Sequence, residues 1–93
     1  ATTIHWHGLI LPSGMDGVGG LNQPQIKPGE TFAYEFTLKQ HGTHMYHPHA
    51  DEMVQMAMGM MGLLIIHPRR GEAVPIDRDY AFLLHNFALH PGT

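Results

Sequence analysis

Two pairs of histidines in His-x-His spacing are the residues of this sequence best suited to chemistry. The first pair is His5 and His7, and the second pair is His47 and His49. Residues i and i+2 of a β-strand face the same side, so each pair can present two imidazoles in parallel. If the two strands lie close together, four imidazoles can gather around one metal centre. Imidazole binds copper, zinc, iron and nickel, so the spacing by itself does not select the metal.

The composition is rich in imidazole and thioether ligands and lacks thiolate ligands. The 93 residues include nine histidines and seven methionines but no cysteine. Imidazole and thioether groups both bind copper, and the thioether favours Cu(I). The absence of cysteine excludes disulfides and thiolate ligands within this sequence.

Charge and hydropathy argue against two further classes of protein. The formal net charge is −3, and the five Lys and Arg residues form no basic cluster. Nucleic-acid binding therefore has no electrostatic basis, and we expect none. The longest apolar run, residues 60–66, is too short to cross a bilayer, so we expect no membrane span.

Short strands separated by turns are predicted to position the two histidine pairs. Strands are predicted at residues 2–7, 31–38, 43–47, 62–67 and 79–86. A Gly/Pro-rich loop covers residues 11–29, and residues 51–58 have no strand pattern, so a short helix or coil is expected there. This order predicts an antiparallel β-sandwich with Greek-key connections. The sequence provides about five strands, whereas complete sandwiches of this type have about seven. We therefore interpret residues 1–93 as one incomplete domain.

Three motifs carry a resemblance to a known family. Residues 5–8 read His-Trp-His-Gly, residues 43–49 read Thr-His-Met-Tyr-His-Pro-His, and residues 58–63 read Met-Gly-Met-Met-Gly-Leu. Over residues 2 to 86 the sequence resembles the first cupredoxin domain of multicopper oxidases, and it is most similar in style to bacterial copper-resistance and laccase-like enzymes. The resemblance implies an all-β fold, a cupredoxin-like Greek-key β-sandwich that is incomplete here. It also implies a periplasmic or secreted protein.

The resemblance implies a copper ligand role for each member of the two pairs. His5 matches a ligand of the type 2 copper, whereas His7, His47 and His49 match ligands of the type 3 copper pair. The family's complete centre needs further histidines, in a His-x-x-His-x-His stretch and a His-Cys-His stretch that this sequence lacks. The type 1 copper needs the cysteine of the latter stretch, so the type 1 site is absent from this segment.

A carboxylate near the first pair is implied to act in catalysis. Asp16 follows His5 by eleven residues and matches an acidic residue that helps to protonate oxygen during its reduction. A carboxylate close to copper-bound oxygen is a sensible proton relay. The alternative interpretation is a turn residue before Gly17.

The function implied by the resemblance is that of an oxidase working as part of a longer chain. Such an enzyme oxidises a phenol or a metal ion and reduces dioxygen to water. Its partners would be the remaining cupredoxin domains of a parent protein or further copies of this chain. Two alternatives stay open: a non-catalytic copper-binding module that stores or delivers copper through His and Met, and a structural sandwich whose histidines are incidental.

A dense group of methionines follows the second pair: Met53, Met56, Met58, Met60 and Met61, here called the methionine cluster. Met53, Met56 and Met60 share helical spacing, so packing in the core is the leading interpretation. The alternative is a soft surface that collects Cu(I).

The remaining candidates have mostly structural interpretations. Asp51 and Glu52 read as a solvated or helix-capping pair, although either could hydrogen-bond a ligand imidazole. Trp6 and Tyr46 are predicted to pack away from the histidines. The histidines outside the pairs are predicted to be structural or on the surface: His41, His44, His67, His85 and His90.

Overall fold

One antiparallel sheet organises the chain in the computed structural model, which describes residues 1–71 and 73–86. Its three strands are β1 (Ile4–His7), β2 (Gly42–Pro48) and β3 (Gly62–Ile66), in the order β1-β2-β3. A short helix, α1 (Glu52–Ala57), connects β2 to β3, and a 3₁₀ turn covers Ser13–Met15. No helix in the described ranges is long and apolar enough to cross a membrane.

The strand register divides the sheet into two chemically different faces. β1 pairs antiparallel with β2, so that His5 lies opposite His47 and Trp6 lies opposite Tyr46. Side chains alternate across a strand, and therefore His5, His7 and His47 share one face while Trp6 and Tyr46 share the other. β2 also pairs antiparallel with β3, which makes β2 the central strand.

An aromatic cluster covers the face opposite the histidines. The ring of Trp6 lies 5.6 Å from that of Tyr34, 5.5 Å from that of Phe36 and 5.7 Å from that of Tyr46, measured between centroids. The Tyr34 hydroxyl accepts a hydrogen bond of 2.9 Å from the backbone N–H of Ile4. Aromatic pairs of this geometry each contribute about 0.5–1.5 kcal/mol beyond the area that they bury. The predicted packing role of Trp6 and Tyr46 is therefore confirmed.

The strands predicted at 2–7, 43–47 and 62–67 are confirmed within a residue or two. Residues 51–58, predicted to be a short helix or coil, contain the helix α1. The strands predicted at 31–38 and 79–86 do not form. Phe32, Tyr34 and Phe36 are half-buried and the residues between them are exposed, so the predicted alternation itself is present. A strand also needs a neighbour to pair its N–H and C=O groups, and neither segment is paired in a ladder with another described segment.

Candidate metal centre

Three imidazoles meet on the face of the sheet opposite Trp6. His5 and His47 are cross-strand partners, and His7 lies two residues further along β1 on the same side. The ring centroids are 5.3 Å apart for His5 and His47, 5.4 Å for His7 and His47, and 5.6 Å for His5 and His7. One ring nitrogen from each of the three lies within 4.8 Å of the other two. The β1–β2 register thus brings together histidines that are far apart in the sequence.

The closest contact between the pairs has the separation of two ligands of one metal ion. Nδ1 of His7 lies 3.2 Å from Nε2 of His47. Two imidazole nitrogens bound to one ion at about 2.0–2.1 Å, with bond angles near tetrahedral, are about 3 Å apart. The residues therefore fit a metal ion held between His7 and His47, with His5 beside it.

The ring nitrogens available to a metal are defined by the backbone around them. Nδ1 of His5 lies 2.7 Å from the carbonyl oxygen of Asp16, and Nδ1 of His47 lies 2.8 Å from the carbonyl oxygen of Pro48. A carbonyl oxygen only accepts hydrogen bonds, so each Nδ1 carries the proton and donates it. Each Nε2 is left with its lone pair, which is the usual arrangement of a metal-binding histidine, and that of His47 faces Nδ1 of His7 at 3.2 Å.

His49 lies beside the group of three. Its ring centroid is 5.3 Å from that of His5 and 6.2 Å from that of His47. β2 ends at Pro48, so strand alternation no longer directs His49, and its side chain is 38% exposed. Its carbonyl oxygen accepts a hydrogen bond of 3.2 Å from the N–H of Gly19. The four predicted ligands therefore lie on one site, three in a tight group and the fourth at its edge.

Asp16 lies in a turn, as one interpretation predicted, and it also borders a histidine of the first pair, while its catalytic role stays a prediction. It ends the 3₁₀ turn, and its carboxylate Oδ1 lies 3.5 Å from Nδ1 of His5. The next residue, Gly17, has φ +78° and approaches β1 so closely that a Cβ there would collide with the carbonyl oxygen of Ile4. Only glycine allows this approach without strain, and the approach places Asp16 against the imidazole.

Of the two acids that follow the second pair, Glu52 reaches the histidines. Its Oε1 lies 3.6 Å from Nδ1 of His47, and its Oε2 lies 3.9 Å from Nε2 of His49. His47 is buried at 4% exposure. Asp51 instead adopts the left-handed conformation, with φ 49°, at the start of α1.

The packing interpretation of the methionine cluster is wrong for three of its members. Met53 is 78% exposed, Met58 is 56% exposed and Met60 is 40% exposed. α1 ends at Ala57, so Met60 lies beyond the helix and the helical spacing does not apply to it. Met56 and Met61 are half-buried.

Sequence reasoning missed one residue that braces the end of β1. The side-chain amide of Gln40 donates a hydrogen bond of 2.8 Å to the carbonyl of Gly8 and accepts one of 2.7 Å from the N–H of Ile10. These bonds hold the chain that follows His7. A single glutamine belongs to no motif, so no sequence signal indicated this role.

Comparison with known proteins shows the family of this chain. The family described as multicopper oxidase matches residues 1–71. The chain belongs to the multicopper oxidase family. Copper is the metal of this family, and imidazole is a ligand that suits copper.

Individual multicopper oxidases and their relatives match most of the chain. Copper resistance protein A of Escherichia coli is 43% identical over 86 residues, which are 92% of this chain and 14% of that protein. An L-ascorbate oxidase of Brassica rapa subsp. pekinensis is 42% identical over 83 residues, covering 87% of this chain and 14% of that protein. The crystal structure of a multi-copper oxidase from Pseudomonas thermotolerans superposes with a TM-score of 0.69 at 45% identity, covering 70% of this chain and 16% of that chain.

These matches confirm the predicted family and the all-β, cupredoxin-like, incomplete fold. The chain spans only 14% of the length of the curated relatives it matches. The L-ascorbate oxidase is an oxidoreductase by name, and both relatives contain much more protein than this segment.

Proposed function

We propose that this chain contributes four histidine ligands to a trinuclear copper centre of an oxidase. In this proposal His5 binds the type 2 copper, whereas His7, His47 and His49 bind the type 3 pair. The centre reduces dioxygen to water while a phenolic or metal-ion substrate is oxidised. The observation that carries the proposal is the convergence of ring nitrogens from His5, His7 and His47 on one face of the sheet.

The surrounding groups of this chain orient the ligands and supply protons. Bound copper would supply the redox chemistry. The carbonyls of Asp16 and Pro48 hold the Nδ1 protons of His5 and His47, so that neither ring can rotate without losing a hydrogen bond. Reduction of dioxygen to water consumes protons. The carboxylate of Asp16 is 38% exposed and borders His5, so it can take protons from solvent and hold them beside the centre.

We infer that residues 1–93 form a partial cupredoxin-like domain of a longer oxidase. The sequence contains no cysteine, so the type 1 copper comes from other domains of the parent. The remaining histidine ligands come from those domains or from a second copy. By its resemblance to the family we assign the protein to the periplasm or the secreted fraction.

Copper content tests the proposal directly. In the full-length protein that contains this chain, His7 and His47 are replaced together by Ala. We expect this variant to retain much less bound copper after dialysis and to consume almost no oxygen with a phenolic substrate. The matched control replaces His41 and His67, which are exposed, and should keep both properties. Wild-type copper content and oxygen consumption in the His7/His47 variant would contradict the assignment.

The exposed methionines favour a second candidate function, copper storage or delivery. Met53, Met58 and Met60 offer thioethers to solvent, and thioethers select Cu(I). Replacing all three by Leu nearly conserves volume, and such exchanges cost under about 1.5 kcal/mol. We expect this variant to keep its oxygen consumption. A sharp loss of Cu(I) uptake, measured against a Cu(I) chelator, combined with no oxidase activity in the wild type, would instead favour storage or delivery.

A further inference from the structure

A single carboxylate lies against both histidines of the second pair. Glu52 directs Oε1 toward His47 at 3.6 Å and Oε2 toward His49 at 3.9 Å. Its side chain is 42% exposed, so one side meets the imidazoles and the other meets solvent. The first pair has a comparable neighbour, because Oδ1 of Asp16 lies 3.5 Å from His5. Each histidine pair thus has its own carboxylate, and the family resemblance implies a role only for Asp16.

The backbone between β2 and α1 returns Glu52 to the histidines. Ala50 is buried, and Asp51 has φ 49°, the one positive φ outside glycine in the described part of the chain. Helix α1 begins directly afterwards, and the carbonyl of Asp51 accepts hydrogen bonds from the N–H groups of Val54 and Gln55. Left-handed backbone is unfavourable for residues with a Cβ, though Asp tolerates it better than most. This sharp reversal allows residue 52 to lie over residues 47 and 49.

We propose that Glu52 is a positioning residue for His47 and His49 that raises the affinity of the centre for copper. The inference rests on the proposed copper centre. At 3.6 Å and 3.9 Å the carboxylate lies beyond hydrogen-bond distance of both imidazoles, and the Nδ1 proton of His47 is already donated to the Pro48 carbonyl. Glu52 therefore acts on the two rings through its negative charge, which attracts their N–H dipoles and so restricts the ring orientation. Its negative charge also lies close to the bound cation, where it favours the metal-loaded form.

If Glu52 had a purely structural role, it would stabilise helix α1 and have no effect on the histidines. An acid in the first turn of a helix stabilises the helix by interacting with its dipole, and Glu52 is such an acid. Asp51 has the same charge at the same helix terminus, yet among the described residues no histidine lies within ion-pair distance of it. Asp51→Asn is therefore a matched control, and Asn also tolerates left-handed backbone.

Copper titration of the full-length protein separates the two roles. Cu(II) alone, competed against a chelator of known affinity, should bind Glu52→Gln at least about tenfold more weakly than wild type, as expected for loss of an outer-sphere partner. Asp51→Asn should stay within about twofold of wild type. The near-ultraviolet absorption of the oxidised type 3 pair should change only in Glu52→Gln, and the melting temperature of the metal-free protein should be the same in both variants.

Two results would overturn the role of Glu52. One is wild-type Cu(II) affinity and wild-type type 3 absorption in Glu52→Gln. The other is an equal loss of affinity in Glu52→Gln and Asp51→Asn, accompanied by a lower metal-free melting temperature. If the His7/His47→Ala variant loses copper while Glu52→Gln keeps it, only the positioning role fails. If the His7/His47→Ala variant binds copper as well as wild type does, the copper centre and the inference fail together.

Discussion

At the scale of single residues, backbone carbonyls decide which nitrogen each candidate ligand presents. The carbonyls of Asp16 and Pro48 engage Nδ1 of His5 and His47, whereas His7 turns its own Nδ1 toward Nε2 of His47. A carbonyl oxygen has no proton to give, so the tautomers of His5 and His47 are set before any metal arrives. Such preorganisation lowers the entropy that ordering the ligands would otherwise cost.

The glycine after Asp16 gives a prediction at this scale. Gly17→Ala should destabilise the protein by about 1–3 kcal/mol, because it adds a collision with the Ile4 carbonyl to a left-handed backbone. It should also weaken copper binding by moving Asp16 away from His5. Gly20→Ala is the matched control, since Gly20 has φ +80° and open space around a Cβ. Equal melting temperatures and equal copper affinity for the two variants would contradict the close-approach argument.

At the scale of elements, residues 31–38 act as a brace for β1 without being a strand. Tyr34 and Phe36 pack on Trp6, and the Tyr34 hydroxyl accepts a hydrogen bond from the backbone N–H of Ile4. Side-chain contacts therefore replace part of the backbone ladder that was predicted for this segment. The brace lies on the face opposite His5 and supports the strand that carries it.

Removing one hydroxyl tests the brace. Tyr34→Phe leaves the Ile4 N–H without its acceptor, which costs about 0.5–1.5 kcal/mol. If the amide exchanges through local opening, its hydrogen exchange should be roughly 2- to 12-fold faster, as read by mass spectrometry or NMR. Tyr80→Phe, at a site that is 70% exposed, should leave this exchange unchanged. Unchanged exchange in Tyr34→Phe would show that the brace does not hold β1.

At the scale of the whole molecule, the described residues bury very little apolar surface. Ala50 is the one buried hydrophobic residue among them, while Leu21 is 79% exposed, Phe82 is 80% exposed and Leu84 is 92% exposed. Apolar surface of this extent on a small chain favours association. The outer strands β1 and β3 also leave unpaired backbone groups at the sheet edges among the described residues.

The purified 93-residue chain should therefore self-associate in solution. Light scattering should give a mass well above 10.4 kDa that rises with concentration, because association covers the apolar side chains and sheet edges. The same chain attached to the rest of its parent should show no such concentration dependence. A soluble monomer of these 93 residues at high concentration would count against the interpretation as a partial domain.

Local patterns in the sequence were sufficient for much of this description. His-x-His spacing predicted parallel imidazoles, because alternation along a strand depends only on the chain's own backbone. The motifs around His5 and His47 also predicted the family, and the positions of β1, β2 and β3 followed from turn signals and hydrophobic runs. The lack of a strand pattern at residues 51–58 left a short helix or coil open there.

Contacts between distant segments were decided by the tertiary structure alone. The 3.2 Å approach of His7 to His47 depends on the β1–β2 register. Whether Asp51 or Glu52 meets the second pair depends on one left-handed residue, and both acids read alike in sequence. Residues 31–38 have the alternation of a strand but no backbone partner. For His7 and His47, and for residues 31–38, the outcome depends on which remote segment supplies the neighbouring atoms, and the periodicity of a single segment carries no information about that partner. For Asp51 and Glu52 it depends on a local backbone conformation that no sequence motif indicated.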